Sequence, residues 1–216
     1  MRRAAALTVL LGLAAACSSG SKATVLTPST APASTATTLA ASVPAGYTGF
    51  TGTADHFTIA VPASWRQVDP SSPGATQAVQ DLVKANPSFS ALLSSGDLAA
   101  QGIKFLAADP ATASSVNVVT KAAVGARDSD LAGAASALEA QYTKVGGTVT
   151  ASRSVPLAGH TGLQIALDLK LAATATSPAR VISEIQDLVT ANDIVYIVTL
   201  TGTSPSLPAI ADTLRV

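Results

Sequence analysis

The amino-acid sequence predicts an α+β fold, an antiparallel sheet covered by helices in the manner of an α/β/α sandwich. Apolar residues recur at every second position in several stretches, the period of a half-buried strand, and segments with helical spacing stand between these stretches. All of this periodic sequence lies after residue 46 of the 216, so one ordinary domain carries the fold.

The elements follow in order. Ordered sequence begins near Tyr47. Phe57, Ile59 and Val61 alternate with Thr58 and Ala60 as in a strand, and Pro62-Ala63-Ser64 turns the chain into Trp65, placed to cover the same core. Ala75 to Ala85 and Ser88 to Ser94 carry helical spacing, divided by Asn86-Pro87 and closed near Gly96, before Ile103 to Ala107 returns to strand character. Val116 to Val124 is strand-like. Ser129 to Val145 is the clearest helix, with Leu131, Ala135, Leu138, Tyr142 and Val145 on one stripe, Asp128 or Ser129 as cap, and Gly146-Gly147 as stop.

Thr148 to Pro156 and Leu163 to Leu171 form two strands joined through Leu157 to Gly162. In the second, Ile165, Leu167, Leu169 and Leu171 face in, and Gln164, Asp168 and Lys170 face out, so one face or edge of the sheet is wet. Arg180 to Val189 and Ile194 to Thr201 make a further hairpin about Ala191-Asn192-Asp193, whose second arm is apolar on both faces and therefore central. A short helix starting at Ser204-Pro205 closes the chain, with Ile210 and Leu214 on its inner face.

The first 46 residues read differently. Arg2 and Arg3 followed by the apolar run Ala4 to Ala16 have the form of an export signal, and 13 apolar residues fall short of the roughly 20 that span a bilayer. Leu13-Ala14-Ala15-Ala16-Cys17 resembles the lipobox of bacterial lipoproteins, with Ala14 where that motif usually has Leu. The resemblance implies cleavage before Cys17 and lipidation of its thiol, which anchors the chain at the outer face of the cell membrane. Ala14-Ala15-Ala16 also satisfies an ordinary secretory cleavage site, which cuts the same bond and frees Cys17.

From Cys17 to Gly46 the chain is rich in Ser, Thr, Ala and Pro, too poor in bulky residues to offset the entropy of ordering. It reads as a tether reaching roughly 30 Å. The Ser and Thr beside Pro28, Pro32 and Pro44 are also compatible with O-glycosylation. The domain organisation is thus a signal over 1–16, a lipidated tether over 17–46 and a folded domain over 47–216.

Composition bounds the chemistry. Charged residues make up 12 %, and loss of Arg2 and Arg3 leaves 11 basic against 13 acidic side chains, so no charge surplus draws nucleic acid. Cys17 is the only cysteine, which excludes an intramolecular disulfide and a cysteine metal cluster. Phe57-Thr-Ile-Ala-Val-Pro-Ala-Ser-Trp65, the long meander of strands after the central helix and the closing Leu214-Arg-Val216 resemble the actinobacterial LpqN/LpqT lipoproteins, which in turn resemble the PsbP and Ran-binding Mog sandwich domains. The resemblance covers residues 47–216. It implies a PsbP-like sandwich with a binding role and carries no catalytic residue across.

No nucleophile elbow, H-E-x-x-H zinc site, phosphate loop or calcium loop is present, and no cofactor or metal is expected. Ser19-Gly-Ser-Lys22 spells S-x-x-K but lies in the tether, where no pocket orients its lysine. His56 and His160 read as solvated loop histidines, Asp128 and Asp130 as a helix start, Glu184 and Asp187 as strand residues, and Trp65 as core, with sugar stacking the other reading. Three functions compete. The first is a non-enzymatic envelope lipoprotein that binds an envelope or extracellular protein. The second is a carrier of an apolar ligand such as a lipid, suggested by high hydrophobicity and many small side chains. The third is a hydrolase built on His160 or a scattered acid pair.

Overall fold

The computed structural model describes residues 43–86, 89, 98–144, 146–171 and 179–216. The leader, most of the tether and the expected helix over Ser88 to Ser94, Phe89 apart, lie outside them. Among the described residues nine strands and three helices follow one another: β1 (Tyr47–Gly52), β2 (Phe57–Pro62), β3 (Arg66–Val68), α1 (Ala75–Ala85), β4 (Ile103–Asp109), β5 (Ser114–Ala122), α2 (Asp128–Lys144), β6 (Gly147–Leu157), β7 (His160–Leu171), β8 (Arg180–Ala191), β9 (Ile194–Thr201) and α3 (Leu207–Ala211). β3 to β9 form one antiparallel sheet in the order β3-β4-β5-β9-β8-β7-β6, and β1 and β2 form a separate hairpin.

The α+β antiparallel architecture agrees with the sequence periodicities. Period-two alternation in β5 and β7 to β9 sends alternate side chains to two faces, and each face builds its own core. Face A gathers Leu106, Val119, Ile197, Leu188, Leu163, Ile165 and Leu167 under Leu82 of α1 and Leu131, Leu138 and Tyr142 of α2. Face B gathers Phe105, Val116, Val118, Tyr196 and Val198 under the β1–β2 hairpin and α3, with Phe57, Ile59, Val61, Trp65 and Ile210 in the same cluster. The second layer is therefore a hairpin and one short helix.

Two tight turns hold the long hairpins. Asn192 and Asp193 sit at φ 53 and 61 between β8 and β9, and Ala158 and Gly159 at φ 53 and 86 between β6 and β7. Two successive positive φ values give the primed turn whose twist matches that of the flanking strands. The second turn corrects the sequence reading: the 157–162 connection is a two-residue turn, and His160 is the first residue of β7. A second correction concerns the C-terminus, where α3 has only five residues. Leu214 lies beyond it but is fully buried, and Arg215 pairs its backbone with Thr58 of β2.

Trp65 is 6 % exposed and joins the Face B cluster at the end of the first hairpin. Trp65→Ala is expected to lower stability by about 3–5 kcal/mol, the range for large aromatic truncations in cores. Denaturant melts check this, and an unchanged midpoint would place the ring outside the core.

Candidate functional site: a polar array and a free sheet edge

The residues singled out in the sequence disperse in the fold. Cys17 and Ser19 to Lys22 lie outside the described residues. His56 is exposed at φ 53, after the 3-10 turn Thr53–Asp55. His160 is the first residue of β7, so the loop part of its reading is corrected, while its side chain remains 36 % exposed and its Nδ1 lies 3.8 Å from Asp128 Oδ2. Glu184 and Asp187, three apart on β8, point to opposite faces. Among the described residues no three His, Cys, Asp or Glu side chains are grouped to hold a metal ion.

Asp128 does more than begin a helix. Its carboxylate accepts hydrogen bonds from the Thr190 hydroxyl at 2.7 Å and the Thr161 N–H at 2.9 Å, pinning α2 to β7 and β8. The Thr190 bond, joined by Thr161 and His160 and opposed by burial, holds its carboxyl below the usual range. Asp55 pins the other face. It accepts a hydrogen bond from Thr120 at 2.6 Å, pairs with Lys104 at 3.3 Å, and offers its backbone carbonyl to the Tyr196 hydroxyl at 2.8 Å. These contacts seat the hairpin on the sheet.

Under the helices, Face A carries a polar array. Register places Ser115, Thr201 and Glu184 side by side on β5, β9 and β8, and one step along the strands Asn117, Thr199 and Gln186. Leu106 and Ala108 of β4 flank the array on one side and Ile165 and Leu167 of β7 on the other. The Tyr142 hydroxyl of α2 donates to Gln186 Oε1. Burial pushes the Glu184 carboxyl up to about 7, against hydrogen bonds to Gln186 and Thr201 that favour its ionised form. Burial and the charge of Glu184 together push Tyr142 up to about 12. Asn117 Oδ1 is buried without a hydrogen-bond partner.

Face B has a different character toward the β6 edge. β1 of the hairpin packs on β4 and α3 on β2 and β9, whereas α2 contacts β6, β7 and β8 from the other side. Thr148, Ala151 and Arg153 of β6 and Val181 and Ser183 of β8 are exposed on Face B, and Gln164, Ala166 and Asp168 of β7 are half-buried. A ladder crosses this region: Arg153 gives Nε and Nη2 to Gln164 Oε1 at 2.9 and 2.6 Å, and Gln164 Nε2 donates to Asp187 Oδ1 at 2.8 Å. Burial pushes the Asp187 carboxyl up, the Gln164 bond and Arg153 oppose this, and Asp212 adds to it. β6 itself is an outer strand of eleven residues, mostly exposed, and among the described residues it pairs with a strand on one side only.

Sequence reasoning missed Ser115, Asn117, Thr199, Thr201 and Gln186. The alternation Ser115-Val-Asn117-Val and Thr199-Leu-Thr201 signals strands with one polar face, but nothing local says that these faces meet under two helices.

The array makes stability depend on pH. Glu184 ionises near 4.5 when unfolded and near 7 when folded, so the folded state keeps a proton that the unfolded state releases between these values. Its contribution therefore falls as pH rises through that window and levels off above it, by on the order of 3 kcal/mol at most. Glu184→Gln is expected to remove this slope, so that the variant gains on the wild type between pH 4.5 and 7.5. Urea midpoints across that range check it, and parallel curves for the two proteins would contradict it.

No family model and no curated protein matches the chain. Among solved structures it is similar to the cyanobacterial PsbP of Synechocystis (9% identity, TM-score 0.46, covering 81% of this chain and 95% of that one). It is similar also to LpqN of Mycobacterium tuberculosis, described as involved in cell envelope biogenesis (12% identity, TM-score 0.40, 77% and 84%). A third likeness is to the Saccharomyces cerevisiae Ran-binding protein Mog1p (11% identity, TM-score 0.40, 76% and 80%). At these identities the likeness is one of chain path, and no residue's role passes across it.

Proposed function

We propose that the chain is an exported lipoprotein, anchored through acyl chains on Cys17, whose folded domain docks a protein partner at the outer face of the membrane without catalysing a reaction. The anchor rests on the sequence alone: the only cysteine stands directly behind an apolar leader and before a tether.

The binding reading rests chiefly on the free edge of β6 beside the thinly covered end of Face B. An outer strand of this length presents a row of outward backbone donors and acceptors, which an extended segment of another chain satisfies as an eighth strand. The partner segment that fits carries an acidic side chain opposite Arg153, whose Nη1 is not used in the bonds to Gln164.

Two measurements test this. Cys17→Ser is expected to leave the protein unlipidated and shift it from the membrane to the soluble fraction, and an unmodified Cys17 in wild-type N-terminal peptides would end the lipoprotein reading. A photo-crosslinker at exposed Thr150 of β6 is expected to trap an extended segment of another protein. The double substitution Ser152→Lys and Ser154→Lys, which charges the edge, is expected to abolish that crosslink with the melting temperature within a few degrees of wild type. A crosslink that survives the lysines, or one formed only to a second copy of the chain, would rule this docking mode out.

A further inference from the structure

The centre of a helix-covered sheet face is where apolar side chains are expected, and Face A breaks that rule at six adjacent positions: Ser115, Thr201 and Glu184 in one row, Asn117, Thr199 and Gln186 in the next. Ser115, Thr199, Thr201 and Gln186 are buried, while Glu184 and Asn117, at opposite corners, are partly exposed. With strands about 4.8 Å apart and alternate residues about 6.7 Å apart, the array spans roughly 10 by 7 Å.

The array is rich in acceptors. Each hydroxyl has one donor and two acceptor sites, the Glu184 carboxylate only acceptors, and Asn117 Oδ1 has no donor at all. Within the network, Tyr142 donates to Gln186, and Gln186 and Thr201 bond to Glu184. Among the described residues Asp55 pairs with Lys104 and Asp128 with His160, and Arg180 stands on the same face of β8 as Glu184 but four residues along the strand. From α2 the titratable group facing Glu184 is Tyr142, α1 turns Asp81 and Lys84 to solvent, and β5, β7 and β9 present uncharged residues at the adjoining register positions.

We propose that this array binds a small organic cation carrying several N–H donors, a guanidinium or alkylammonium compound, with Glu184 as counter-ion and with Asn117 and the Ser115, Thr199 and Thr201 hydroxyls taking its donors. A neutral ligand of the same shape supplies hydrogen bonds but leaves the acid in a poorly solvated site without an opposite charge. The site lies on the face opposite the Arg153 ladder and is independent of the docking reading.

The test is calorimetric titration of the purified full chain with methylguanidinium and with methylurea, its near-isosteric neutral counterpart. The expected result is binding of methylguanidinium in the millimolar range or tighter and at least about tenfold weaker binding of methylurea. The cation must displace the proton of a carboxyl that titrates near 7, so its affinity is expected to fall about tenfold from pH 8 to pH 6. Glu184→Gln is expected to lose the cation preference. Asn117→Asp, which adds a second negative group to the array, is expected to tighten binding and keeps the test open should the first variant fold poorly. Equal affinities for the two probes, an unchanged preference in Glu184→Gln, or no heat from either probe through the millimolar range would overturn the proposal.

Discussion

The register of the β8–β9 hairpin is the constraint on which the rest of the molecule depends. Side chains alternate with a period of two, so a slip of one residue would exchange the faces of β8, moving Glu184 and Gln186 away from α2 and bringing Ile185 and Asp187 beneath it. The Asn192–Asp193 turn prevents that slip by holding two successive residues at positive φ, a conformation that Asn and Asp tolerate better than most residues. Because β5 pairs with β9 and β7 with β8, the same turn aligns the polar array, the Arg153–Gln164–Asp187 ladder and the Thr190–Asp128 contact.

The two faces solve different problems from this one register. Face A is closed by α1 and α2 and keeps a polar centre, tolerated because Tyr142, Gln186, Thr201 and Glu184 bond to one another. The uncompensated residue of that centre is a raised carboxyl and an unpartnered amide oxygen. Face B is filled by aromatic and aliphatic side chains under the hairpin and thins toward β6, where a polar ladder replaces a covering layer. Asp55 and Asp128 each tie an added element to the sheet, so their chemistry is spent on assembly.

Much of the fold was legible locally. The helix over Ala75 to Ala85 has the limits its spacing predicts, and that over Ser129 to Val145 lies within a residue of α2. Their apolar stripes and stops are local signals. The strands from Thr148 onward follow their alternation, and Ile165, Leu167 and Leu169 are buried as that pattern requires. Local signals failed at His160 and Leu214. Gly159 and Gly162 suggested a loop around His160, but only Gly159 turns the chain, while Gly162 continues the strand where a Cβ would come within 2.6 Å of the Leu188 carbonyl. Leu214 was assigned to a helix by spacing and is held instead by the backbone pairing of Arg215 with Thr58, which is distant in sequence.

The sequence by itself determined the type and order of the two long helices, of β2 and of the strands from β4 onward, the absence of familiar catalytic motifs and the resemblance of the leader to an export signal ending at Cys17, because each is written in contiguous residues, whereas β1 and β3 carry no such pattern. Only the tertiary structure decided that Thr199 and Thr201, in a strand read as apolar on both faces, stand between Asn117 and Gln186 and between Ser115 and Glu184. It alone decided that β6 is an edge and that His160 meets Asp128. These facts depend on which strands pair and in what register, and that choice is settled by burial of whole faces and by turn geometry rather than by any residue's neighbours in sequence.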